Sequence, residues 1–131
     1  SFADKKILVL GVTFKPNTDD MRDAPALTML PSVTAAGAEV FVVDPQGQRE
    51  GEALMPDVIW TQDLYAAAEG ADLIVILTEW NEFRALDLQR IATAMRASRM
   101  ADLRNVYTAQ DARAAGFEAY ASVGRHSYIE D

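Results

Sequence analysis

Three unbroken apolar runs constrain the fold of this chain more than any other feature: Ile7 to Val12, Val40 to Val43 and Leu73 to Thr78. A strand with one wet face alternates apolar and polar residues. A strand covered on both faces is apolar throughout, as these runs are. The first run passes through Gly11 into a polar loop, Thr13 to Asp23, and the second closes on the turn-forming Asp44-Pro45-Gln46-Gly47. Each run is far shorter than the roughly 20 residues a membrane helix requires.

Helical patterns separate the runs. Asp23 suits an N-cap and Pro25 a first turn, and Ala26, Leu30, Val33 and Gly37 form one stripe, with Pro31 a point of kinking. Gln62 to Gly70 holds strong helix formers, and Leu86 to Arg96 spaces Leu88, Ile91, Ala92 and Met95 helically. Ala109 to Ala115 reads as a short helix stopped by Gly116. Val58 to Trp60, Met100 to Leu103 and Phe117 to Val123 read as further strands, and a polar tail follows. Gln48 to Pro56 fits neither pattern. Alternating strands and helices predict an α/β fold, a parallel sheet with helices on both faces, in one domain over residues 1–131. Ligands of such sheets sit outside the C-terminal strand ends. The loops Thr13 to Asp23, Glu79 to Arg84 and the one after Asp102 are expected to gather there.

Composition narrows the chemistry. Twenty acidic residues against 12 basic ones leave a formal charge of −8. That sign opposes nonspecific binding to nucleic acid, although a few local cations still suffice for an anionic small ligand. The chain has no cysteine and a single histidine, His126. Disulfides, thiolate metal sites and a cysteine nucleophile are therefore excluded within it. The N-terminus lacks the layout of a signal peptide. A cytoplasmic domain with no membrane association is expected, and Ser1 in place of Met suggests a piece of a longer chain.

Each candidate site residue has a plain reading beside its functional one. Gly11 is the sole glycine where a G-x-G-x-x-G dinucleotide fingerprint would stand, so the domain is not expected to bind a dinucleotide by itself. Asp44 at the end of the second run is then a turn former rather than a ribose ligand. Lys15 and Arg22 either balance Asp19, Asp20 and Asp23 or face an anion, with Phe14 offering a ring beside Lys15. Arg104 either pairs with Asp102 or grips a phosphate or sugar. Asp19-Asp20 favours a helix N-terminus over a carboxylate dyad. Trp80 fits edge packing better than sugar stacking. A phosphoacceptor module would need an acidic pair after the first strand, where Gly11-Val12-Thr13 stands instead.

The stretch from Gly11 to Pro25, reading GVTFKPNTDDMRDAP, resembles the signature of the C-terminal domain of UDP-glucose 6-dehydrogenases. Val43-Asp44-Pro45, Leu77 to Phe83, Asp102 to Asn105, Gly116-Phe117 and Gly124-Arg125 follow in that family's order. The resemblance implies a Rossmann-like domain that closes over the nucleotide end of a UDP-sugar. The NAD fold and the catalytic cysteine would lie upstream, in a full-length homodimer that oxidises UDP-glucose to UDP-glucuronate with two NAD. It assigns Phe14, Lys15 and Arg104 to the substrate and Arg22 to NAD, with no catalytic residue in this chain. The partners implied are the UDP-sugar and the rest of its own chain, and this chain alone is expected to be inactive. Related UDP-N-acetyl-hexosamine or GDP-mannose dehydrogenases, or a non-catalytic UDP-sugar module, are the alternatives.

Overall fold

The structure, a computed structural model, describes residues 2–12, 26–123 and 128–129. The strands are β1 (Lys6–Leu10), β2 (Glu39–Val43), β3 (Ile59–Trp60), β4 (Leu73–Ile76), β5 (Arg99–Asp102), β6 (Ala119–Ser122) and β7 (Tyr128–Ile129). The helices are α1 (Ala26–Ala35), α2 (Gln48–Leu54), α3 (Leu64–Ala68), α4 (Asn81–Arg84), α5 (Leu88–Ala94) and α6 (Ala109–Ala115). The strands form one sheet in the order β3-β2-β1-β4-β5-β6-β7. Neighbours are parallel from β3 to β6, and β7 runs antiparallel to β6.

The apolar runs become the central strands because both of their faces are covered. Leu8, Leu10, Ile74 and Ile76 point into one core with Phe83, Ile91, Ala112 and Tyr120. Ile7, Val9, Val40, Val42 and Val75 point into the other with Leu30, Met55 and Val58. Helix starts follow from side-chain caps. Asp63 accepts from the Ala66 N–H at 3.1 Å and Asp87 from the Arg90 N–H at 3.1 Å. Thr108 and Asp111 cap α6 reciprocally, and Gly116 ends it at φ 100°.

Three details differ from the sequence expectations. Gln48 to Leu54 is a helix, α2, because Gly51 lets the backbone press on Trp60: a Cβ there would lie 2.1 Å from the indole. Asn81 to Arg84 forms one helical turn that buries Phe83. The expected polar tail contributes β7, whose Tyr128 side chain stacks near Tyr120 and gives the sheet its antiparallel edge. Pro31 lies inside α1 as expected.

The direction in which successive strands are added reverses between β1 and β4, which are themselves parallel. Strands after β1 step one way to β2 and β3, and strands after β4 step the other way. The crevice beyond the C-terminal ends of β1 and β4 is therefore the topological switch point, where open α/β sheets place their ligands.

Candidate nucleotide-sugar site

Two fully buried carboxylates build the switch-point edge. Asp44, at the end of β2, accepts from the Val12 N–H at 2.7 Å through Oδ2. Its Oδ1 accepts from the N–H groups of Gln46 at 2.9 Å and Gly47 at 2.6 Å. Asp44 thus ties the turn after β2 to the exit of β1, as its turn-forming reading predicts. Gly11 sits at φ +85°, and a Cβ on it would lie 2.4 Å from the Thr78 Cβ. Its lack of a side chain makes room for Thr78, two residues beyond β4.

Asp102 organises the loop after β5. Its Oδ1 accepts from the N–H groups of Arg104 at 3.3 Å and Val106 at 3.0 Å. Its Oδ2 accepts from the Tyr107 N–H at 2.7 Å. The Tyr120 hydroxyl lies 3.1 Å from that oxygen and 2.9 Å from the Tyr107 carbonyl. A buried carboxylate persists only when such donors replace its lost water. The wrapped loop puts Asn105 at φ 55°, a left-handed conformation that Asn tolerates better than most residues.

Tyr107 then locks this loop to its neighbour. Its hydroxyl donates to the Phe83 carbonyl and accepts from the Leu86 N–H at 3.1 Å. Burial lifts this phenol above its ordinary pKa, so it stays protonated as a donor.

Arg104 projects from the wrapped loop with its side chain 41% exposed. The structure gives its side chain a carboxylate partner other than the expected Asp102. The backbone of Arg104, not its guanidinium, meets Asp102. The guanidinium Nη2 donates to Glu79 Oε1 at 3.1 Å, and Arg84 Nη2 donates to Glu79 Oε2 at 3.0 Å. One carboxylate from the end of β4 therefore holds two cations at the ligand edge. A guanidinium has five N–H donors, and this contact engages few of them. The remainder suit a phosphate.

Among the other candidates, Trp80 is 3% exposed within the core. Its ring faces are therefore committed to packing, and the sugar-stacking alternative does not hold. Phe14, Lys15, Arg22, Asp19, Asp20 and His126 lie outside the described residues. Sequence reasoning missed the roles of Glu79, Tyr107 and Tyr120 around Arg104. The signal was present in Glu79 and Arg104, which both follow C-terminal strand ends. Among the described residues, no group of three or more His, Cys, Asp or Glu side chains could hold a metal ion. Among the same residues, no helix is long and apolar enough to cross a membrane.

Residues 8–109 match the model of the UDP-glucose/GDP-mannose dehydrogenase family, UDP binding domain. The chain belongs to this family. The match spans both carboxylate-anchored turns and Arg104, so the geometry above is that of the family's UDP-binding domain. Over 120 residues the chain is 48% identical to a UDP-glucose 6-dehydrogenase of Rhizobium meliloti (strain 1021), covering 92% of this chain and 27% of that protein. It is 37% identical over 126 residues to the UDP-glucose 6-dehydrogenase TuaD of Bacillus subtilis (strain 168), covering 95% of this chain and 27% of that protein. Among solved structures, a UDP-glucose dehydrogenase from Pyrobaculum islandicum superposes with a TM-score of 0.76 at 28% identity, over 95% of this chain and 26% of that one. The chain thus spans about a quarter of the length of its relatives and corresponds to their C-terminal domain.

Proposed function

We propose that this chain is the nucleotide-sugar-binding domain of a longer, cytoplasmic, homodimeric UDP-glucose 6-dehydrogenase. The proposed reaction oxidises UDP-glucose to UDP-glucuronate with two NAD. The observation that carries this reading is the seat of Arg104: a cation held at the ligand edge by a loop wound on Asp102, in a family whose domain is described as UDP-binding. Arg104 meets the diphosphate, with Phe14 and Lys15 as further substrate contacts from the loop after β1. A charged hydrogen bond of this kind contributes about 1.5–3 kcal/mol.

Two features support placing NAD outside the described residues of this domain. The space at Gly11 is taken by Thr78, and both oxygens of Asp44 are engaged by backbone N–H groups. The proposal therefore gives NAD to the N-terminal part of the longer protein, with Arg22 reaching it from this domain. With no cysteine, this chain supplies binding and not the nucleophile. By itself it is inactive.

The test is NADH absorbance with UDP-glucose as substrate. The full-length protein should produce NADH and the 131-residue chain none. Turnover by the short chain overturns the division of labour. Full-length turnover with a UDP-N-acetyl-hexosamine or GDP-mannose, and none with UDP-glucose, reassigns the sugar.

A further inference from the structure

The helices cover the sheet unevenly. On one face α3, α5 and α6 lie over the β4–β6 side, with Met100, Tyr120 and Tyr128 in that core. On the opposite face the core built on Leu30, Met55 and Val58 covers β1, β2 and β4. Beyond β4 on that second face, no described helix lies over the sheet. Strand alternation and register put Arg99, Ala101, Ala119, Ala121 and Ile129 on this bare half. Ile129 is 82% exposed, and Ala101, Ala119 and Ala121 are small enough to let another element approach the sheet closely. Together with Leu73 they line an open groove of about 510 Å³.

An α/β sheet is stable when both faces are covered, and a contiguous exposed apolar patch marks a contact surface. We propose that this half-face is the seat of polypeptide that, in the longer protein, lies N-terminal to this domain. The inference rests on the reading of the chain as the C-terminal part of such a protein. Two observations select this occupant. The relatives carry nearly three-quarters of their length outside the matched domain. In addition, Phe2, 45% exposed, lines a depression with Lys5, Ile7 and Asp72 that shares Leu73 and Arg99 with the groove. Polypeptide leading into residue 2 therefore arrives beside the bare face.

The experiment places the photoreactive residue p-benzoylphenylalanine at position 121, and separately at 129, in the full-length protein. A third protein carries it at exposed position 66 on α3, on the opposite face, as the control. After irradiation, mass spectrometry of the digests should show cross-links from 121 and 129 to peptides of the same chain preceding residue 2, and none of these from 66. Cross-links joining position 121 or 129 of two copies, or no cross-links beyond residues 2–129, overturn the proposal. UDP-glucose-dependent NADH formation by the unlabelled protein reports separately on the functional reading. Activity without the intrachain cross-link sinks the docking inference alone. The cross-link without activity sinks the chemistry alone.

Discussion

Glu79 Oε1 meets Arg104 Nη2 at 3.1 Å, although the two residues leave the sheet on different strands. The same carboxylate takes Arg84 through its other oxygen. All three side chains are at least 32% exposed, and exposed pairs of this kind contribute at most about 1 kcal/mol to stability. Their consequence is positional: two guanidinium groups are held together at the C-terminal edge of the sheet.

The first prediction follows from the Arg104 cation. Arg104→Ala in the full-length protein should lower kcat/KM for UDP-glucose roughly ten- to a hundredfold, mainly through KM. Thermal stability should barely change, because the backbone N–H of Arg104 still reaches Asp102. Unchanged kinetics would return Arg104 to a structural role. Arg22→Ala should instead raise the KM for NAD more than that for the sugar nucleotide.

Neutralising Glu79 separates positioning from charge. Glu79→Gln keeps one amide oxygen for a guanidinium but removes the negative charge beside the proposed diphosphate. Two like charges several ångströms apart at the surface repel by up to about 1 kcal/mol. UDP should therefore bind up to about fivefold tighter, with a steeper salt dependence, in titration calorimetry. Weaker binding would mean that orientation of Arg104 outweighs the repulsion.

The sheet was legible because Ile7 to Val12, Val40 to Val43 and Leu73 to Thr78 are short, unbroken apolar runs rich in β-branched residues. Strand β7 was not, since its described residues, Tyr128 and Ile129, carry no periodic pattern and pair with β6 beside a long-range contact of Tyr128 with Tyr120. Helix α2 was hidden because Gln48 to Leu54 owes its place to the fit of Gly51 under Trp60, a long-range contact. Arg104 was legible as a residue at a strand end. Its true partner was not, because Asp102 is two residues away in sequence and Glu79 is 25. Proximity along the chain suggested Asp102 only as the structural alternative to a ligand contact.

Asp102 should be a highly sensitive polar position. Its carboxylate faces backbone donors from Arg104, Val106 and Tyr107 and the hydroxyl of Tyr120. Asp102→Asn turns an amide NH₂ toward N–H groups and removes the charge that strengthens those bonds. A loss of about 2–3 kcal/mol in urea unfolding is expected. UDP affinity should fall as well, as the loop carrying Arg104 loosens. Tyr120→Phe removes one donor and should cost about 1 kcal/mol.

Two glycines separate backbone strain from steric collision. Gly116 sits at φ +100° with open space where a Cβ would go, so Gly116→Ala should cost about 1 kcal/mol from conformation alone. Gly11, at φ +85°, would drive its Cβ into Thr78 as well. Gly11→Ala should therefore cost clearly more, about 2–4 kcal/mol, because strain and overpacking add. Equal losses in thermal unfolding would show that β1 and β4 can separate at no expense.

Acid should reveal one further ion pair. Asp72 accepts from Arg96 Nε at 2.7 Å and Nη2 at 2.5 Å, and from the Lys6 N–H at 2.9 Å. Arg96 is the main cause of a carboxyl pKa drawn down from 3.8 to about 2, against the opposing effect of burial. A carboxyl whose folded pKa is depressed binds fewer protons folded than unfolded. Its stabilisation is present above the unfolded value and is lost as pH falls toward the folded one. Stability should thus decline between about pH 4 and pH 2 through this pair. Arg96 is 59% exposed, so solvent and salt screen the effect. Arg96→Ala should make unfolding less steeply pH-dependent in that window and leave the profile above it nearly parallel to that of the parent protein. Identical acid profiles would show that the Lys6 N–H, which the substitution leaves in place, is enough to hold the Asp72 carboxylate ionised.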